Sequence, residues 1–170
     1  MIVAVGGMTG GFAMFIKDGR IYYDYNYLNG VYYTLESPKL RKGTTEVKFN
    51  FIKTQDFGGI GELFINGEKV DTVEMPLMHI STYSLAETFD VGRDTGTQVS
   101  AMYDDPFPYS GTLDRVVFRI GKGAEVPPGT SYQYSNPGYN TLGAIIEVKS
   151  APGLGFSFRN CSHAAWIREI

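Results

Sequence analysis

Four acids, Asp90, Asp94, Asp104 and Asp105, fall within sixteen residues of the chain, with Glu87 just ahead of them. Carboxylates and loop carbonyls are the ligands that calcium prefers, so the segment is a candidate structural calcium loop, although it lacks the spacing of an EF-hand. A plainer fate for loop acids is to accept hydrogen bonds from turn amides. Glu87, Asp90 and Asp94 would then brace a crossing between sheets, with Arg93 or Arg115 as ion-pair partner. Glycoside hydrolysis would need two carboxylates facing one cleft, and Glu87 and Asp90, three apart, point to opposite faces of an extended strand. Beyond the calcium candidate, no cofactor is expected.

Other residue types offer less. Tyr22, Tyr23, Tyr25, Tyr27, Tyr32 and Tyr33 form a dense aromatic stretch. Tyr22, Tyr25, Tyr27 and Tyr32 are the candidate face for stacking on a carbohydrate or a partner domain, against the commoner role of half-buried strand residues. His79 and His163 lie far apart, and neither has a helix-spaced partner for a metal. Cys161 is the single cysteine, which excludes an intrachain disulfide and a cysteine-based zinc site. Asn160-Cys161-Ser162 fits a glycosylation sequon but carries little weight without an export signal. Glycine clusters occur without a following Lys-Ser or Lys-Thr, so they read as turns and not as phosphate cradles. The net charge of -3, from 15 basic and 18 acidic residues, comes with scattered Lys and Arg, which speaks against nucleic acid as a partner. The apolar run at Met1 to Val5 is too short for a signal peptide or membrane span, so no membrane partner is expected and the chain as written reads as cytoplasmic.

The elements that must position these residues are strands. Hydrophobic residues make up 43% and aromatic residues 14% of the chain against 19% charged, a balance that suits packed sheets. Turn signals recur at Gly6-Gly7, Gly10-Gly11, Asp18-Gly19, Asn29-Gly30, Lys42-Gly43, Gly58-Gly59 and Asn66-Gly67, a spacing that predicts antiparallel hairpins. Val47, Phe49 and Phe51 alternate with Glu46, Lys48 and Asn50, giving one dry and one wet face. In the same way Val116, Phe118 and Ile120 should point inward, and Arg115, Val117 and Arg119 outward. Helix content should be low, with single turns at most at Glu36 to Arg41 or Ala164 to Ile170. After Ile120, Pro127-Pro128-Gly129 and Asn136-Pro137-Gly138 are turn chemistry, so a main domain of residues 1–121 and an extension of 122–170 are expected. Leu142 to Lys149 and Leu154 to Arg159 read as two further strands, too few to be stable alone, that dock on the main domain or pair with another chain.

The run Ser84-Leu85-Ala86-Glu87-Thr88-Phe89-Asp90-Val91-Gly92-Arg93-Asp94-Thr95-Gly96-Thr97 resembles a signature near the end of the C-terminal, non-catalytic domain of bacterial arylsulfatases of the type I sulfatase family. The resemblance extends back through Val5-Gly6-Gly7, Gly10-Gly11-Phe12, Ile16 to Arg20 and Tyr23 to Tyr27. It continues forward through Tyr103, Pro106-Phe107 and Gly111-Thr112-Leu113, and so covers roughly residues 2 to 120. It implies an all-β, antiparallel two-sheet jelly roll of concanavalin A-like type, normally carried behind a large α/β catalytic domain. Sulfatases of that family depend on a Cys or Ser in a C/S-x-P-x-R motif; Cys161-Ser162-His163-Ala164-Ala165 has neither the Pro nor the Arg. The expectation is a non-catalytic accessory or interaction module whose partner is a sulfatase-like catalytic domain or a second copy of itself. The alternative is a carbohydrate-binding jelly roll, stabilised by calcium.

Overall fold

The computed structural model describes residues 1–28, 30–79, 83, 87–119 and the backbone of 145–149. Two antiparallel sheets account for the regular structure, and no helix occurs among the described residues. The first sheet is built by a meander of β1 (Val3–Gly7), β2 (Gly10–Lys17), β3 (Arg20–Leu28) and β4 (Val31–Glu36). The chain then crosses to the second sheet for β5 (Glu46–Gln55), β6 (Gly58–Ile65) and β7 (Glu68–Met75). It returns as the short β8 (Phe89–Val91), which pairs with β1, and crosses back for β9 (Arg115–Arg119) and β10 (Ile145–Lys149). The first sheet therefore has the order β4-β3-β2-β1-β8; the second runs β7-β6-β5 and continues through β10 to β9.

Hairpin chemistry places the turns. Asn66 and Gly67 take φ of 53° and 85° between β6 and β7, the left-handed pair that a two-residue turn requires. Asp18 and Gly19 repeat the device between β2 and β3. Gly58 and Gly59, by contrast, lie inside β6, and the reversal falls on Asp56-Phe57. There a side chain on Gly59 would strike the Ile52 carbonyl and the Phe51 ring, so close approach and not turning is what those glycines serve.

Alternation sets the layers. Val47, Phe49 and Phe51 are buried, and they meet Ile2, Phe12, Met14, Tyr23, Tyr25 and Leu35 of the first sheet, with Leu63 and Met75 completing the core. The Tyr23 and Phe49 rings stack across the sheets at 3.7 Å and 9°. Val116 and Phe118 pack against this core while Arg115 and Arg119 are exposed, as their alternation predicts. Burial on this scale is the dominant stabilising term, at roughly 25 cal/mol per Å² of apolar surface.

A second cluster occupies the opposite face of the first sheet. Ala4, Ala13 and Phe15 are covered by Val99, Tyr103, Met102 and Phe107 from the long segment after β8. That segment is a third layer, and it brings the acid-rich stretch onto the sheet.

The strand expected at Leu142 to Lys149 is present as β10, which sits between β5 and β9 with the register Val148↔Val47 and Val148↔Val116. The second sheet thus continues across residue 121, and β9 joins it through a strand of the extension. The strand expected at Leu154 to Arg159, the turn motifs of 121–144, Ile120, Cys161 and His163 lie outside the described residues.

Candidate functional site

The acids of the 87–105 segment are engaged in holding chain to chain. Glu87 accepts from the Thr97 amide at 3.2 Å and hydroxyl at 2.8 Å, and the Thr97 hydroxyl oxygen in turn accepts the Met8 amide at 2.9 Å. Asp90 accepts the Thr95 amide and hydroxyl, both at 2.8 Å, closing the loop of residues 91–94. Asp94 is buried and accepts the Tyr103 hydroxyl, whose oxygen also accepts the Val99 amide at 3.1 Å. Burial raises the Asp94 carboxyl above its ordinary value, the Tyr103 hydrogen bond opposes this, and the charges of Asp105 and Asp90 add to it. Asp104 and Asp105 are exposed.

Among the described residues no three His, Cys, Asp or Glu side chains converge as a metal-holding group, so Glu87, Asp90, Asp94, Asp104 and Asp105 are not gathered into the calcium site that their clustering in sequence made a candidate. Glu87 and Asp90 are engaged instead by Thr97 and Thr95, and Asp94 by the Tyr103 hydroxyl. The expected ion-pair role of Arg115 falls instead to neighbouring Asp114, at 3.9 Å and fully in solvent reach.

Two polar residues that sequence reasoning passed over complete this layer. Asn26 and Asp24 are buried on β3, under the covering segment. Asn26 Nδ2 donates to the carbonyls of Gly7, Met8 and Val99, and its Oδ1 accepts the Leu28 amide at 3.1 Å. Asp24 accepts the Thr34 hydroxyl at 2.6 Å and bonds Ser100; burial pushes its carboxyl up against the pull of those two hydroxyls. The signal was present in the alternation of Tyr22, Asp24 and Asn26 with Tyr23, Tyr25 and Tyr27. What was not visible was that the polar row would be roofed over.

That same alternation divides the tyrosines between two faces, so Tyr22, Tyr25, Tyr27 and Tyr32 do not form one platform. Tyr22 and Tyr32 stand on the outer side with Asp24 and Asn26, and Tyr22 stacks on Phe15 at 5.5 Å. Tyr25 is buried in the core side, where Tyr33 lies over it at 6.0 Å, and Tyr27 leans on Tyr33 and His79. Burial holds the Tyr25 hydroxyl up at about 12.

His79, which has no helix-spaced metal partner in the sequence, lies among aromatic rings. Its centroid lies 5.3 Å from Tyr27, 5.4 Å from Tyr83 and 6.2 Å from Tyr25, and its backbone amide donates to the Tyr25 hydroxyl at 2.9 Å. Its Nε2 is buried without a hydrogen-bond partner and abuts Gly10, where any side chain would collide with the ring.

This ring cluster underlies one end of the molecule. The β1–β2 turn and the β3–β4 turn share that end because β1 to β4 form a meander. The segment after β7 reaches it through His79, and Met78 donates its amide to the Phe57 carbonyl at 2.6 Å, tying in the β5–β6 turn. Residues 8–9, 28, 30–31, 56–57 and 76–78 therefore lie toward the same end. They present Met8, Leu28, Val31, Phe57 and Leu77, which are 63, 39, 43, 51 and 49% exposed. Asp56 is the single charged residue on those segments. Ile52, Phe89 and Val91 are exposed as well, within β5 and β8.

No family model, curated protein or solved structure matches the chain.

Proposed function

We propose that this chain is a non-catalytic interaction module of the kind found behind the catalytic domain of bacterial arylsulfatases, a jelly roll of concanavalin A-like type that docks through its apolar end. The observation that carries the reading is the crown of Met8, Leu28, Val31, Phe57 and Leu77 over the His79 ring cluster. Support comes also from the signature segment: Glu87, Asp90 and Asp94, the acids most suited to chemistry, hold the covering layer in place.

The occupant is the flank of a sulfatase-like catalytic domain. An anionic bilayer is disfavoured because the segments at that end carry no Lys or Arg and one acid. A protein flank of matching shape instead buries the five side chains at about 1.5–3 kcal/mol each when fully covered, before the cost of association.

The test is sedimentation velocity of the chain mixed with a bacterial arylsulfatase catalytic domain freed of its own C-terminal domain. A one-to-one complex is expected, and the double variant Phe57→Asp, Leu77→Asp, at positions exposed enough to leave folding intact, should abolish it. Independent sedimentation of the two wild-type chains, or a complex indifferent to the double variant, contradicts the proposal.

A further inference from the structure

The apolar end rests on a titratable group, and this inference depends on the docking role of that end. The segment 76–79 is a strap: it leaves β7, carries Leu77 to the surface, bonds the Phe57 carbonyl through Met78, and is pinned to the first sheet by His79. Among the described residues, every element packed against the imidazole is uncharged. β3 offers Tyr25 and Tyr27, β4 adds Tyr33 behind them, the following loop offers Tyr83, and β2 offers the bare backbone of Gly10. The neutral ring fits this setting, since an apolar edge and aromatic neighbours ask nothing of Nε2. A protonated ring would bring a charge and a second N–H to a place where Nε2 has no partner.

We propose that His79 is a pH-responsive latch: neutral, it holds the strap and so composes the docking end; protonated, it releases the strap and dismantles that end. Burial favours the neutral ring and outweighs the backbone of Asn26 and Tyr27, which favour the charged one. Release displaces Leu77 directly and Phe57 through the Met78 hydrogen bond, so two of the five docking side chains respond to one proton.

Two measurements on the full chain separate the latch from the docking reading. Amide hydrogen exchange, corrected for intrinsic rates, is compared at pH 7.5 and pH 5. The amides of Met78 and His79 should lose protection at the lower pH while those of β5 and β6 keep theirs. In His79→Phe, which keeps a ring and cannot titrate, protection should be the same at both values; His79→Gln is the second non-titrating variant should Phe perturb the packing. Sedimentation with the catalytic domain over the same range should show affinity falling by up to about tenfold per pH unit, the slope of a single proton, and a flat response in the variant. Equal protection at both pH values in the wild type, or a loss that persists in both variants, overturns the latch. Absence of a complex at pH 7.5 alongside an intact exchange response overturns the docking reading and leaves the latch standing.

Discussion

Asn26 illustrates how much one buried side chain can hold. Its amide nitrogen serves three carbonyls, two from the β1–β2 turn region and one from the covering segment, so Asn26→Ala leaves several buried acceptors unmet. The expected loss is on the order of 3 kcal/mol, read from urea denaturation, and a variant within 0.5 kcal/mol of wild type, roughly the spread of surface substitutions, would contradict the role. The buried acids Asp24 and Asp94 work in the opposite sense with pH. Each has a folded-state value raised above the ordinary one, so the fold binds protons more tightly than the unfolded chain. Their contribution is therefore fullest below the unfolded value near 4 and declines as pH rises through the raised folded value. His79, lowered from 6.5 by burial, contributes fully above that value and loses its contribution as pH falls through the lower folded-state value. Asp94→Asn keeps an acceptor for Tyr103 and removes the charge, so it should be tolerated at pH 7, while Asp94→Ala should cost about 1–3 kcal/mol by melting or denaturant titration. Calcium or EDTA should leave the melting temperature unchanged, because Glu87, Asp90 and Asp94 already accept hydrogen bonds from Thr97, Thr95 and Tyr103 and do not converge. Residue types alone announced an acidic loop with two readings, hydrogen bonding and calcium; only the fold discriminates, since direction and not proximity in sequence decides what a carboxylate can hold.

At the scale of elements, period-two patterning was the legible part. The row Val47, Phe49, Phe51 and the turns at Asp18-Gly19 and Asn66-Gly67 stand where alternation and turn chemistry put them. Less legible was partner choice, because strand patterning is local while pairing is not. Nothing in Ile145 to Lys149 announces an interior position, yet β10 separates β5 from β9. Likewise the residues flanking Met102 carry no strand or helix pattern, yet they roof the first sheet through Tyr103 and Phe107 on Phe15. Pairing on both sides means that each N–H of β10 faces a neighbouring strand. A proline there, Val148→Pro, should therefore cost at least about 3 kcal/mol in thermal or urea unfolding. A chain that tolerates it unchanged would place β10 outside the cooperative unit. In the core, Phe49→Ala removes the ring stacked on Tyr23 and should cost about 3–5 kcal/mol on the same scale.

The whole molecule is a sheet pair with unequal outer faces. The first sheet is roofed by the 92–109 segment, whereas the second faces outward with Lys48 over Phe64 and Lys69 on Glu62. Among the described residues the tyrosines of β3 and β4 divide between the faces and form no single row. The exposed large apolar side chains of the described residues fall in two sets: Met8, Leu28, Val31, Phe57 and Leu77 at or beside turns, and Ile52, Phe89 and Val91 on β5 and β8. The sequence points to Tyr22, Tyr25, Tyr27 and Tyr32 as a partner face; in the structure those rings divide between two sides, and Met8, Leu28, Val31, Phe57 and Leu77 are exposed at one end. Where the proposed partner touches this chain is therefore the most direct test. Hydrogen exchange of the complex with the arylsulfatase catalytic domain, compared with the free chain at pH 7.5, should show new protection in the segments 8–9, 56–57 and 76–78. Protection confined to Phe89–Val91, to the outer face of the second sheet or to residues 93–109 would contradict it.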